Sequence, residues 1–379
     1  MTPRNEWQGP RTGFVSERLR EARLAKRLSL QDVADAVGVS RQAVSQYELG
    51  LTVPSDSILG QLVHMLDRPV AFFFWPINRS AEGSSTVFFR KGAGATLKDQ
   101  GPVRSYLAWL ADLEYILERW ITLPELSVAP SSEGEHPYDP LTIEQAAQKV
   151  RKALGLGDGP IAHVTRLLEF HGAIVAQWSF TTAPVDAGSQ WIGRRPYILV
   201  GREAVSMARQ RFGLAHELGH LVLHSWAEED MIKRHYSEFE KEAHRFAGAF
   251  LMPAKSFTQE CCIPSLDHLK GLKPRWKVSI SAMIQRAKDL QIFTDDEVRR
   301  LHQQLQGRGW RRAEPWDTEW ELEAPVLFSQ AMSLLEQDQP DIYLRLRNEI
   351  PLPVTDIAGL THLEPSRFES RLRISRSDH

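Results

Sequence analysis

The apolar positions of the first 75 residues recur at helical spacing, and turn residues interrupt them at short intervals. Leu19, Ala22 and Leu24 give one apolar side to a predicted helix over 15–26. Ser29, with Asp32 three residues on, has the form of a capping box and opens a second helix that ends at Gly38. Ser40 caps a third over 41–49, closed by Gly50. Pro54 and Ser55 start a fourth over 57–66, and Pro69 opens a short fifth through Phe74. Residues 76–96 turn to Ser, Gly and Ala and read as a linker. A helix over 103–120, rich in Leu, Ala, Trp and Tyr, suits packing or dimerising, and 129–140 reads as a second loop.

From residue 141 the pattern mixes periods. Helices are predicted over 142–154 and 161–171. Residues 173–179 alternate and are β-rich, which predicts a strand, and 190–200 reads as a hairpin. A long helix follows over 202–225, then one over 238–252 that stops at Pro253. Further helices are expected at 279–290 and 294–306, short ones beyond Pro325, and a disordered end at 375–379. The expected fold is mainly α with a small β-sheet, in the α+β class. It divides into a five-helix unit at 14–75, a linker and packing helix at 76–140, a globular unit at 141–315 and a helical region at 316–379.

Composition narrows the classes. A length of 379 residues allows two or three compact domains. The net charge of −2 excludes a chain that is polybasic throughout, so any DNA binding must come from a local patch. The 2 cysteines, Cys261 and Cys262, are adjacent and make no disulfide framework, which fits a cytoplasmic setting. The first 13 residues carry no apolar signal core. The densest apolar run, 70–75, is far too short to span a bilayer, so no membrane partner is expected.

The chemistry concentrates in His216-Glu217-Leu218-Gly219-His220, an H-E-x-x-H pattern inside an apolar, helix-compatible run. Positions four apart share a helix face, so both imidazoles can reach one Zn²⁺, with Glu217 beside them as general base. A catalytic zinc needs a third protein ligand. His224 continues the face but lies about 12 Å of helix rise from His216, so it reads as a supporting or packing histidine. Glu240 shares a stripe with Ala243, Ala247 and Phe250 on the next helix and is the expected third ligand. Glu242 falls on the other side and reads as a solvated carboxylate. His235 and Tyr236, between the two motifs, are candidate oxyanion donors or plain loop residues.

These residues carry a resemblance. The run from His216 to His224, with Glu240, Ala243, Phe246, Ala247 and 250–253, resembles the ImmA/IrrE family of metallopeptidases. So do 186–189, 209–215, 278–281, 286–290 and 308–312, and the likeness covers roughly 141–315. It implies a zincin-like fold with metal ligands His216, His220 and Glu240, catalytic Glu217, and zinc as cofactor. His244 departs from the family, which usually has Asn or Asp there. The basic run 308–312 otherwise reads as a solvated face.

In the first 75 residues Ala34, Gly38, Val44 and Tyr47 stand where a helix-turn-helix needs a small residue, a turn and an inner face. Residues 18–54 resemble Xre/Cro-type repressor domains. Ser40, Arg41 and Gln42 then open a recognition helix. Arg suits guanine and Gln suits adenine in the major groove, so Arg41, Gln42 and Gln46 are the expected readers of operator DNA. Gln31 is an expected phosphate contact. Basic residues cluster in the first helix at Arg18, Arg20, Arg23, Lys26 and Arg27. Acidic and basic residues are nearly balanced over 1–75, which leaves a protein-binding version of the fold as the alternative.

Together the resemblances imply a DNA-binding regulator with a zinc endopeptidase domain. Its expected substrate is a repressor or antitoxin, whose cleavage derepresses stress, mobile-element or toxin–antitoxin genes. A homodimer is a further expectation. The rival reading is a metal- or ligand-sensing regulator or an antitoxin. The intact Glu217 favours the peptidase, because sensing needs no general base.

Overall fold

The computed structural model describes residues 13–79, 85–91, 97–130, 136–179, 185–202 and 206–368. The end at 375–379, expected to be disordered, lies outside the described residues. The N-terminal unit holds α1 (Ser16–Ala25), α2 (Leu30–Val37), α3 (Arg41–Glu48), α4 (Asp56–Leu66) and a 3₁₀ turn at Val70–Phe74. Its caps are local and strong. The Ser29 hydroxyl accepts from the Asp32 amide while the Asp32 carboxylate accepts from the Ser29 amide. Gly38 closes α2 at φ 69°, a left-handed position that favours glycine.

Then follow β1 (Phe88–Lys91), α5 (Leu97–Glu118), α6 (Pro140–Ala153), α7 (Val164–Phe170), β2 (Ile174–Trp178), β3 (Val185–Ile192) and β4 (Arg195–Gly201). After them come α8 (Met207–Leu223), α9 (Glu229–Arg234), α10 (Tyr236–Leu251), α11 (Ala254–Glu260), α12 (Leu266–Trp276), α13 (Ile280–Asp289) and α14 (Asp295–Gly307). The chain ends in α15 (Leu327–Asp338), α16 (Ile342–Glu349) and α17 (Val354–Thr361). The fold is mainly helical with one four-stranded sheet, ordered β1-β3-β4-β2. The 76–96 segment, read from composition as linker, contributes the edge strand β1, antiparallel to β3. Its partner is about a hundred residues away, so no local pattern announces it.

The sheet has helices on both faces, and alternation along its strands sorts two cores. Ile174, Ala176, Tyr197 and Leu199 join a core with α1–α5 and the C-terminal helices α15–α17. Val175, Trp191, Ile198 and Val200 join a second core with α8, α10 and the helices around them. Most apolar residues of α5 from Val103 to Leu117 are buried within the chain, while Tyr115 is exposed, so the helix packs.

The basic residues clustered at 18–27 do not form an outward patch. Arg18 is fully buried, with Asp112 of α5 at 2.6 Å, Glu21 at 2.9 Å and the Pro76 carbonyl at 2.9 Å. Arg23 pairs with Glu48 at 2.6 Å, Arg27 pairs with Asp99, and Lys26 lies 3.5 Å from Asp67. Of the five, Arg20 stays exposed with no ion pair of its own among the described residues. A charge tally along the sequence sees the arginines but not the carboxylates that fold onto them. Arg79 joins the same cluster, meeting Asp112 at 2.6 Å as well as Glu21. Asp112→Ala removes the carboxylate that Arg18 and Arg79 share and leaves Glu21 as the one anion for both. It should cost about 3–5 kcal/mol in a denaturant titration, and unchanged stability would show that this cluster does not hold the N-terminal unit to α5.

Candidate metal centre

The α8 helix is buried along almost its whole length because the sheet covers one side and α10 another. The two helices cross at Gly219. A Cβ there would meet Ala243 backbone atoms at 3.2 Å and the Phe246 ring at 3.1 Å. This close approach places Glu240, one turn before Ala243, against both histidines. His216 Nε2 and His220 Nε2 are 3.1 Å apart. Glu240 lies 3.4 Å from His216 Nε2 and 3.2 Å from His220 Nε2. Zinc bonds of 2.0–2.2 Å in a tetrahedron imply ligand atoms roughly 3.3–3.5 Å apart. The donor set and its spacing therefore fit a zinc-like ion. Burial works to raise the Glu240 carboxyl, but the hydrogen bonds of His216 and His220 outweigh it and hold the group well below the usual range.

Behind the donor atoms runs a relay of buried groups. His224 is fully buried and does not join the three donor atoms. Its Nε2 lies 2.9 Å from Glu242, and its Nδ1 lies 3.0 Å from His220 Nδ1. A carboxylate only accepts, so His224 Nε2–H donates to it. The bare His224 Nδ1 then accepts from His220 Nδ1–H, and His220 Nε2 keeps its lone pair for a metal. Burial, then His220 and His136, push His224 well below its ordinary pKa, in keeping with this neutral tautomer. Glu242 is thus not solvated, as its position on the helix wheel had suggested. It is buried, accepts from the Tyr138 amide at 2.8 Å, and has its pKa raised by burial. The inward arc of α10 is wide because α6 packs on it beside α8, so it includes Glu242 as well as Ala243, Phe246 and Phe250.

Glu217 is fully buried, and the Ser189 hydroxyl of β3 donates to its Oε2 at 2.6 Å. The Trp191 indole, also on β3, donates to the Leu221 carbonyl at 2.9 Å and ties strand to helix. On the other flank, Arg211 is buried against Glu323 and donates to the Ile161 carbonyl at 2.6 Å. Ser189 lies in the 186–189 run that carries part of the resemblance, but sequence reasoning assigned it no role.

The strand β1 roofs the centre. The Phe88 ring stacks on His220, with centroids 4.8 Å apart at 11°. Beside it, a cavity of 290 Å³ runs between Phe88, Phe89, Ile232 and Phe239 to His220 and Glu240. Tyr236 lines this cavity and donates to the Phe89 carbonyl at 3.3 Å. His235 turns instead to Glu238, at 3.0 Å. His244 is exposed, its ring 5.7 Å from that of His216 and 4.7 Å from Phe212. In the 308–312 run, Arg308 pairs with Asp267 at 2.7 Å.

In the N-terminal unit, Arg41 and Gln42 are exposed at the start of α3, while Val44 is buried. Ser40 is exposed, and its hydroxyl caps the helix by accepting from the Ala43 amide at 3.1 Å. Gln46 is half-buried. Gln31 is exposed and donates to Asp35 at 2.7 Å.

Comparison with known proteins matches both ends of this description. Residues 19–73 match the family model of a helix-turn-helix, and residues 169–288 match peptidase family M78, the IrrE N-terminal-like domain. The chain therefore carries a helix-turn-helix domain joined to a domain of a metallopeptidase family. A protein of Methanocella arvoryzae named "Putative HTH-type transcriptional regulatory protein" is 31% identical over 134 residues, 35% of this chain. The chain spans 36% of that relative's length. Gly219→Val tests the crossing on which the centre depends. It should destabilise the fold by about 1–3 kcal/mol through overpacking, and zinc affinity should fall as Glu240 is wedged away. Zinc affinity equal to wild type in a chelator competition would refute that dependence.

Proposed function

We propose that the chain is a cytoplasmic DNA-binding regulator whose histidine centre holds a zinc ion and cleaves a partner protein. The partner class is a repressor or antitoxin, and its loss derepresses stress, mobile-element or toxin–antitoxin genes. One observation carries this reading: two imidazole nitrogens 3.1 Å apart, each within 3.4 Å of a Glu240 oxygen, stand on one helix with a buried carboxylate, Glu217, that is fixed by Ser189. A centre that only sensed metal would need the three ligands and not the fourth group.

His216, His220 and Glu240 would hold the ion. When bound, zinc polarises the scissile carbonyl and acidifies water. Glu217 takes the proton of the attacking water and carries it to the leaving amine as the C–N bond breaks. Ser189 holds the Glu217 carboxylate in place for both transfers. Burial of both histidines keeps bulk water from competing for their nitrogens. Glu242 and His224 keep His220 in the ligating tautomer.

The DNA reading rests on the helix-turn-helix match and on exposed Arg41 and Gln42. Gln46, Ser40 and Gln31 would add contacts along the groove and backbone. The functional units in this proposal are 14–75 for DNA, 76–140 for connection and packing, 141–315 for the peptidase and 316–379 for support. Replacing Arg41 and Gln42 with Ala should cost roughly 1–3 kcal/mol per lost base contact, read as weaker operator binding in a gel-shift titration with cleavage intact. Operator affinity equal to wild type would remove α3 as the reader.

Glu217→Gln separates peptidase from sensor. The variant should keep its metal and its DNA binding, yet leave the partner protein uncut in cells that co-express both. Induction equal to wild type would sink the peptidase reading and favour the sensor.

A further inference from the structure

A second group of metal-type donors lies at the start of α10, outside the centre described above. His136 Nε2 is 3.1 Å from Glu238 Oε2, and His235 Nδ1 is 3.0 Å from that same oxygen. One ligand atom from each of the three residues lies within 4.8 Å of the other two. His136 comes from the segment before α6, so two separate parts of the chain converge on one point. An ordinary surface ion pair brings one histidine to a carboxylate, whereas here two imidazoles share it.

The placement of His136 is the more telling feature. Its side chain is 2% exposed and its ring lies flat on Phe239, with centroids 4.2 Å apart at 10°. The ring is packed against the helix rather than free on the surface. Its Nε2 is presented to Glu238, and its Nδ1 faces Glu242 Oε1 at 3.3 Å. A buried carboxylate behind a histidine whose other nitrogen points at a donor cluster is the usual support of a metal-ligating imidazole. The second oxygen of Glu242 is the one that accepts from His224, which in turn supports His220.

We propose that His136, His235 and Glu238 form a second divalent-metal site, and that Glu242 is the shared support of both sites. Three protein ligands with half-exposed His235 and Glu238 leave at least one position open to solvent. The site takes a borderline cation that accepts imidazole, with zinc as the natural probe. The route between the sites runs His136, Glu242, His224, His220, with every link 3.3 Å or shorter. The inference concerns metal binding alone and stands whether or not the first centre cleaves peptides.

The test is stoichiometric. The full chain is stripped of metal and titrated with Zn²⁺ against a chromophoric chelator, with bound zinc counted by elemental analysis. Wild type should take about two equivalents. The double variant His235→Ala, Glu238→Gln should take one, since both side chains are half-exposed and their loss leaves the core intact. The double variant His216→Ala, Glu240→Ala should also take one. Glu242→Gln should weaken both sites by about 10–100-fold. A wild-type stoichiometry of one overturns the proposal, as does a second equivalent that survives in the His235→Ala, Glu238→Gln variant. If Glu242→Gln shifts only the first affinity, the shared support is overturned.

Discussion

The histidine centre depends on how closely α8 and α10 can approach. Two helices carrying ordinary side chains at their contact sit 8–10 Å apart. Gly219 removes the side chain on one of them, and Ala243 offers only a methyl group on the other. The backbones then close to a distance at which Glu240, from a separate helix, reaches nitrogens on His216 and His220. A larger residue at 219 would leave the histidines in place and move the carboxylate. The spacing of the H-E-x-x-H pattern aligns two ligands and a base on one helix, but the glycine inside it brings the third ligand within range.

The sheet turns this local arrangement into a property of the whole chain. One of its faces packs on α8, and the other packs on α5 and, through α5, on the helix-turn-helix. Alternate residues of single strands, such as Ile198 and Leu199, belong to different cores. The same chain that leaves the N-terminal unit is fixed by Arg79 to Asp112 and Glu21, then runs along β3 as β1 and lays Phe88 on His220. Of the residues between the helix-turn-helix and the histidine centre, Arg79 is thus tied to the N-terminal side and Phe88 to the centre. The C-terminal region is also part of the support, because Glu323 holds Arg211 on α8 and α17 packs on β2.

What the sequence made legible was what local chemistry encodes. The caps at Ser29, Ser40 and Gly38 announce the helices of the N-terminal unit within a residue or two. The strand β2 follows from alternation and β-rich composition, and the hairpin at 190–200 marks β4 and the end of β3, though not its first residues. The pairing of His216 with His220 follows from helix periodicity. What stayed hidden depends on distant partners. The strand β1 is four residues long and is defined by hydrogen bonds to β3. The inward turn of Arg18 needs Asp112, 94 residues away. The burial of Glu242 needs α6 on the far side of α10, and the role of Ser189 needs a strand laid across α8. The short helices α9 and α11 lack the long apolar periodicity that made their neighbours visible, and Pro274 inside α12 disguises that helix.

The central claim is that one ion is held at the crossing of α8 and α10 by side chains from both helices. Anomalous diffraction at the zinc edge, from crystals of the zinc-loaded protein, tests it directly. The ion should lie about 2.0–2.2 Å from His216 Nε2, His220 Nε2 and a Glu240 oxygen, with His224 and Glu242 behind them and out of bonding range. An ion bound by His224, His244 or Glu242 in place of Glu240, or none at the crossing, would contradict the account.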